Sequence, residues 1–333
     1  MTDVKSTLPR IAVVGSGYMG GGMAQCFAIA GYTVTLADAD AEATLRSYSR
    51  LVTEAEAFEK DGLFPVGSAE IVASALSCAG SIEEAVADAD YIAEAVPESP
   101  AIKEPVLRRI SDAAPPTAII ASNTSAIPIA ELAAFVTNPE RFLGVHWMNP
   151  APFVPGVELI PTPLTSAEVL NTTEAIIDGL GKVAARVPDI AGFVANRLQF
   201  ALFREALLMV EEGSCTPEQI DVVVSTSFGF RLAFFGPFTA ADMAGLDVYA
   251  GAFETMTRTY GQRFSAPQLL LDRVAAGDLG LKSGGGFRGI EPGAVGELVA
   301  YRNRAYHELA ALKARLGAAP GLVHAPGASD ESE

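Results

Sequence analysis

Histidine, cysteine and tryptophan are all scarce: the 333 residues hold three, three and one of them. Cys26, Cys78 and Cys215 lie apart in apolar contexts with no C-x-x-C spacing, which argues against a zinc framework or a disulfide scaffold. They read as buried thiols in a reducing compartment. No apolar run approaches the roughly 18 residues needed to cross a bilayer. The opening stretch MTDVKSTLPR has no apolar signal core, so a cytoplasmic protein is expected. Positive charge is also in short supply. Lys and Arg total 23 against 40 Asp and Glu, a net charge of −17, and such a surface repels nucleic acid and anionic membranes. The expected partner is a small-molecule substrate, with no nucleic acid and no membrane. Nothing suggests a metal site.

What remains is ordinary globular material, 50% hydrophobic and 19% charged, in a chain too long for one typical core. Up to about residue 187, short β-branched or apolar runs alternate with longer helical patterns. Strands are predicted at Ile11–Val14, Tyr32–Ala37, Tyr91–Val96, Ala118–Ala121 and Phe142–His146, with Val157–Ile160 and Val183–Val187 at the far edge. That alternation predicts an α/β domain, a mainly parallel doubly wound sheet covered on both faces. After Pro188-Asp189-Ile190-Ala191-Gly192 the pattern becomes helical, beginning with one long helix from Phe193 to Glu212. Its apolar residues, among them Leu198, Phe200, Leu202, Phe203, Leu207 and Leu208, fall on several sides, which suits a helix buried between subunits and predicts a homodimer. The expected organisation is residues 1–187, a nucleotide-binding domain; 188–316, a mostly α-helical substrate and dimerisation domain; and 317–333, a disordered acidic tail. His324 in that tail and His307 on a late charged helix read as solvent-exposed.

Gly15-Ser16-Gly17-Tyr18-Met19-Gly20 fits G-x-G-x-x-G between a buried strand and a helix. In that context Gly15 permits the tight turn, Gly17 lets a pyrophosphate approach the helix N-terminus, and Gly20 lets helix and strand pack closely. Gly21 and Gly22 suit a crowded crossing. Asp38, ending the second strand, would accept hydrogen bonds from ribose hydroxyls and repel a 2′-phosphate; no Arg or Lys follows it in ADAEATL, which favours NAD over NADP. Asp40 is better placed as the N-cap of the next helix.

Among the histidines only His146, in GVHWMNPAP, stands at the carboxyl end of a predicted strand, where open α/β sheets bind ligands. Glu158, in VELIP beyond a proline-bounded turn, would face it in a strand–turn–strand. A carboxylate bonded to an imidazole fixes its tautomer, as a general base requires. A packed strand-end histidine beside a surface glutamate is the plainer alternative.

GSGYMG, SNTSAIPI, HWMNPAP, GFVANRL, GPFTAADMAGLD and LKSGGGF, in this order, resemble the L-3-hydroxyacyl-CoA dehydrogenase family to about residue 290. The resemblance implies a Rossmann-like domain followed by a helical dimerising domain. It implies that His146 takes the hydroxyl proton as hydride passes to NAD and that Glu158 holds the imidazole. Ser125 and Asn196 would hydrogen-bond the substrate oxygen. It further implies cofactor contacts from Gly15, Gly17, Tyr18, Met19, Gly20 and Asp38, and from Glu98, Lys103, Asn123 and Asn149 towards the nicotinamide half.

The chain also departs from the acyl-CoA enzymes. Where those read roughly HFFNPVPVMKLVEV, this one reads HWMNPAPFVPGVEL: Trp147 and Met148 replace phenylalanines and Pro155 replaces the lysine. Between the second strand and Tyr91 the only lysine is Lys60, amid Glu54, Glu56, Glu59 and Asp61. Coenzyme A carries phosphates that need basic partners, so a free acid or small alcohol is the better expectation. Arg231 stands where an apolar stretch is usual and is the candidate for a substrate carboxylate, a bidentate role suited to guanidinium; Arg197 is a lesser candidate. In these features the chain is similar to gulonate and carnitine dehydrogenases, lambda-crystallin and a pyridine-carboxylate alcohol dehydrogenase. The alternatives are the 3-hydroxybutyryl-CoA activity of fatty-acid metabolism, a non-catalytic NAD-binding protein, and a lysine-based β-hydroxyacid dehydrogenase. The last lacks its lysine in Phe193–Leu198.

Overall fold

A computed structural model describes residues 8–321, so His324 and the last twelve positions of the expected tail lie outside the described residues. The chain divides into two compact units, Met1–Leu202 and Phe203–Glu333.

Eight strands make one sheet in the first unit: β1 (Ile11–Val14), β2 (Val34–Ala37), β3 (Leu76–Cys78), β4 (Tyr91–Glu94), β5 (Ile119–Ser122), β6 (Phe142–Trp147), β7 (Gly156–Pro161) and β8 (Val183–Arg186). Their order is β3-β2-β1-β4-β5-β6-β7-β8. Every neighbouring pair is parallel except β6 with β7. The intervening helices are α1 (Tyr18–Ile29), α2 (Ala41–Lys60), α3 (Ser68–Ala75), α4 (Ile82–Val86), α5 (Pro100–Ala113), α6 (Ile129–Ala133) and α7 (Ala167–Gly179). This is the doubly wound, mainly parallel sheet that the sequence pattern predicts.

The central strands are buried on both faces because a parallel sheet has helices on each side. Alternate residues therefore serve two separate cores. Ile11, Val13, Tyr91, Leu143 and Trp147 face one with Phe27 and Met23 of α1. Ala12, Val14, Ile92, Ile120 and Phe142 face the other. The strand β3 carries no sequence signal of its own: Leu-Ser-Cys is three residues long and pairs only with β2, at the sheet edge.

The second unit is built from the end of α8 (Ala195–Glu211), α9 (Pro217–Thr226), α10 (Phe228–Leu232), α11 (Pro237–Ala244), α12 (Leu246–Tyr260), α13 (Gln268–Ala275) and α14 (Val295–Leu316). No strand occurs there among the described residues, in line with the expected helical domain. Ala241, Leu246 and Leu270 form its small core. Fully buried Asp242 accepts the backbone N–H groups of Phe287 and Arg288 at 2.9 and 2.8 Å, fastening the SGGGF loop to α11.

Two readings need correction. The long helix starts at Ala195 rather than Phe193, because Phe193 has φ +46, a left-handed conformation that a bulky side chain seldom adopts, and this breaks the helical path. Trp147 does not stand beside His146 in space. Side chains alternate along β6, so Trp147 points into the opposite core, 3% exposed and 6.0 Å from the Phe27 ring. It therefore says nothing about the substrate.

Candidate active site

Antiparallel pairing of β6 with β7 puts His146 directly opposite Glu158. Side chains in such a pair share a face of the sheet, and here His146 Nδ1 meets Glu158 Oε2 at 2.9 Å with both residues 5% exposed. The other carboxylate oxygen of Glu158 accepts the N–H groups of Val194 and Ala195 at 3.0 and 2.9 Å. Those donors stand at the N-terminal end of α8, Val194 just before it and Ala195 as its first residue, where N–H groups lack helical partners and a carboxylate is favoured. One glutamate thus fixes the imidazole and caps the helix that carries Asn196. The turn at Phe193 aims these N–H groups and sets its own ring 5.6 Å from that of His146.

Asn196 in turn donates from Nδ2 to the Ser125 carbonyl at 2.7 Å. His146, Glu158, Asn196 and Ser125 therefore form one connected group. The Ser125 loop is pinned from beneath by Glu98, whose Oε1 accepts from Thr124 Oγ1 (2.6 Å), Ser125 N (2.8 Å) and Ala126 N (3.0 Å). Burial works against ionisation of Glu98, but these donors and the Lys103 ammonium hold its carboxyl below the usual range. Asn123 accepts the Trp147 N–H at 2.8 Å, tying β5 to the end of β6, and Asn149 stands exposed just beyond. Asp189 accepts the N–H groups of Ile129 and Ala130, both at 2.8 Å, and so caps α6 at the end of the same motif.

Lys103 occupies a different place from the one the resemblance suggests. It is fully buried, with its ammonium 2.7 Å from Glu94 Oε1 and 3.6 Å from Glu98 Oε2. Glu94, equally buried, also accepts from Ser122 Oγ and Val96 N. Lys103 is therefore the internal counter-ion of a carboxylate in the sheet, with Glu98 as its second, more distant partner.

The glycine turn fits a dinucleotide. Gly15 has φ +90, and a Cβ there would lie 2.7 Å from the Ala95 carbonyl carbon. A Cβ on Gly17 would meet nothing within 4 Å, leaving open space over the first N–H groups of α1. Tyr18 is 65% exposed at the helix start and Met19 is half-buried. Gly22 accommodates Pro152, whose Cδ would be 2.9 Å from an added Cβ, so the glycine run serves the turn after His146 as well. Asp38 accepts from Ser16 N (2.8 Å) and Ser16 Oγ (2.6 Å). Burial works against its ionisation, yet the Ser16 hydroxyl and the Ala39 and Ser16 N–H groups keep its carboxyl low. Asp40 caps α2 through Ala43 N at 2.7 Å. Arg50, which carries no recognisable motif, donates to the Ser16 and Gly17 carbonyls at 2.9 and 3.2 Å and steadies the turn from α2.

A second residue without a sequence signal holds the segment after His146. Lys182 donates to the carbonyls of Ala151 (2.6 Å), Pro152 (3.1 Å) and Val154 (2.9 Å) and is 9% exposed. Burial pushes its ammonium below the usual lysine range. The lysine lines a cavity of about 490 Å³ together with Pro155, Phe153 and Cys26. Burial pushes the Cys26 thiol up to about 11, so it is unreactive at neutral pH. Lys182→Met is expected to orphan three carbonyls and lower stability by about 2–4 kcal/mol. Urea denaturation checks this; an unchanged midpoint would show that solvent replaces the ammonium.

Not all the acids read as hostile to coenzyme A are free. Glu54 pairs with Arg50 at 2.8 Å, and Glu59 accepts the N–H groups of Gly67 and Ala69, both at 2.9 Å, which leaves Glu56 and Asp61 as the exposed ones. Arg231 belongs to the second unit, at the end of α10. His307 is exposed on α14. No metal-binding cluster and no single helix long and apolar enough to cross a membrane occur among the described residues.

The chain matches the family described as 3-hydroxyacyl-CoA dehydrogenase, NAD binding domain, over residues 10–190, and the corresponding C-terminal domain over residues 192–289. It is 35% identical over 83% of its length to a 5-formyl-3-hydroxy-2-methylpyridine 4-carboxylate 5-dehydrogenase of Mesorhizobium japonicum, covering 89% of that protein. A probable 3-hydroxybutyryl-CoA dehydrogenase of Bacillus subtilis is 36% identical over 84% of this chain and 96% of its own. An L-carnitine dehydrogenase of Streptomyces coelicolor is 34% identical over 92% and 96%. A solved structure of the pyridine-carboxylate enzyme superposes with a TM-score of 0.69 at 33% identity, covering 93% of this chain and 99% of the other.

Proposed function

Because this chain belongs to the 3-hydroxyacyl-CoA dehydrogenase family and is an NAD-dependent oxidoreductase of CH–OH groups, we propose that it interconverts a hydroxyl and a carbonyl on a small carboxylated substrate. His146 is the general acid/base. The observation that carries this is the 2.9 Å bond between His146 Nδ1 and Glu158. It occupies Nδ1 and leaves Nε2 to take the hydroxyl proton or return it. The same glutamate lies against a ring that becomes cationic in the transfer. The Ser125 hydroxyl has no partner among the described residues, and Asn196 keeps a second amide N–H. Both are donors for an oxygen that gains negative charge in the reduction direction. NAD, when bound, accepts or supplies the hydride. Its diphosphate belongs over Gly17 and the start of α1, its adenosine ribose at Asp38, and its nicotinamide half near Glu98, Asn123 and Asn149.

The carboxylated substrate is supported by the absent lysine at Pro155, by Arg231, and by relatives named for a pyridine carboxylate and for carnitine. The probable 3-hydroxybutyryl-CoA dehydrogenase at 36% identity favours the second reading, an acyl-CoA substrate. Steady-state NADH measurements on hydroxy acids, pyridine carboxylates and acetoacetyl-CoA separate the two. A free acid is expected to exceed acetoacetyl-CoA in kcat/KM by at least about ten-fold. The reverse order overturns the free-acid reading. We also propose a homodimer through the helical unit, since Phe203, Leu207, Val222 and Val223 there stand 48–62% exposed in the single chain.

A further inference from the structure

The eight-residue turn from Met148 to Pro155 joins the strand of His146 to that of Glu158. Three of its residues are prolines, at 150, 152 and 155, each with a carbonyl and no N–H. Such a turn holds more acceptors than donors, and buried carbonyls need partners. Within the turn, Phe153 and Val154 both donate to the Pro150 carbonyl, at 3.1 and 3.0 Å. The carbonyls of Ala151, Pro152 and Val154 converge instead on the Lys182 ammonium, at 2.6, 3.1 and 2.9 Å. Pro155 accepts from the next residue, Val183 N, at 2.8 Å. An ammonium has three N–H donors, and here three carbonyls take them. The same ammonium lies 5.6 Å from the centre of the Trp147 ring, and indole offers a cation a stronger face than phenyl does. Trp147, uninformative about the substrate, thus belongs to the clamp on the turn.

The far half of the turn is keyed into two more elements. An added Cβ on Gly22 of α1 would come 2.9 Å from Pro152 Cδ and 3.2 Å from Ala151 Cβ. Phe153 packs on Phe58 and Phe64, with ring centroids 5.2 and 6.0 Å away. At the near end Asn123 holds the Trp147 N–H. Asn149 stands exposed between these anchors, and its side-chain amide makes no hydrogen bond among the described residues. Its place is therefore set by the path of the turn.

We propose that Lys182 is a positioning residue for hydride transfer: by gathering the turn's carbonyls against the face of Trp147, it fixes where Asn149 meets the nicotinamide half of NAD. The inference rests on the reading above that puts Asn149 at that half of the cofactor. Lys182 is 9% exposed, and with all three donors taken it has none left for NAD or substrate.

The test is a double-mutant cycle on the full-length enzyme, read as kcat with NADH and the preferred substrate and normalised to the folded fraction by circular dichroism. Lys182→Met is expected to lower kcat by about ten-fold or more, since a displacement of about 1 Å can cost about 100-fold. Asn149→Ala is expected to lower it by about ten-fold. The double variant should lose no more than about twice what the worse single variant loses, because both changes remove the same contact. Lys182→Gln, with two uncharged N–H donors, should fall between wild type and Lys182→Met. It also takes the place of Lys182→Met in the cycle if that variant does not stay folded at the assay temperature. Losses that multiply in the double variant overturn the proposal, because a lysine that only supports the fold costs the same factor with or without Asn149. So does a kcat for Lys182→Met within about two-fold of wild type. Asn149→Ala with wild-type kcat and NADH affinity would remove Asn149 from the nicotinamide, and the proposal would fall with that reading. Multiplying losses leave the reading standing and overturn the proposal alone.

Discussion

His146→Gln is expected to lower kcat by about 10²–10⁴-fold, the usual worth of a positioned general acid/base, while NADH still binds with its wild-type affinity. Glutamine is nearly the right length and its amide can still donate to Glu158, so the carboxylate keeps a partner and the cap on α8 stays in place. What is lost is an atom that can take up and return a proton. Stopped-flow turnover with the preferred substrate, beside a fluorescence titration with NADH, reads the two effects separately. Residual activity near wild type would remove His146 from the proton transfer. Glu158→Gln is the informative companion. Its amide cannot accept from both the imidazole and the Val194 and Ala195 N–H groups as the carboxylate does. It should therefore disturb the placement of Asn196 as well as the ring, lowering kcat and also raising KM.

The pairing behind these expectations was legible in the sequence for a geometric reason. A strand, a proline-bounded turn and a second strand put residues in register, and register in an antiparallel pair is register of side chains. The eight-residue turn from Met148 to Pro155 brings His146 and Glu158 face to face. The parallel sheet was legible because continuous apolar runs alternating with helical patterns allow few other topologies. Other features were hidden because they depend on where charge is buried rather than on sequence spacing. Lys103 looks like any exposed lysine of a helix until β4 places Glu94 beneath it. Arg50 and Lys182 act through backbone carbonyls, an interaction that leaves no residue-type signature in the partner. Trp147 misled because adjacency in sequence is opposition in a strand. β3 was missed because three edge residues carry too little pattern to distinguish from a loop.

Gly20→Ala is expected to raise the NADH dissociation constant by about 100-fold, or roughly 2.7 kcal/mol, and to destabilise the fold by about 1–3 kcal/mol through overpacking. An added methyl would fall inside the van der Waals shell of the Gly15 carbonyl oxygen and 3.2 Å from Ala95 Cβ. Neither neighbour is the loose end of a side chain. The helix cannot retreat, since Met23, Ala24, Phe27 and Ala28 of α1 are fully buried against the sheet. The turn must give way instead, carrying with it the N–H groups that would hold the diphosphate. Gly17→Ala separates that role from packing. Its methyl meets nothing within 4 Å in the protein, so urea denaturation should find the stability little changed. The space it fills is nonetheless the space assigned to the diphosphate, and NADH affinity should fall while the fold stays intact. Loss of affinity in Gly20→Ala alone, with Gly17→Ala binding NADH as wild type does, would show that the cofactor does not pass over Gly17 and would require another path across the start of α1.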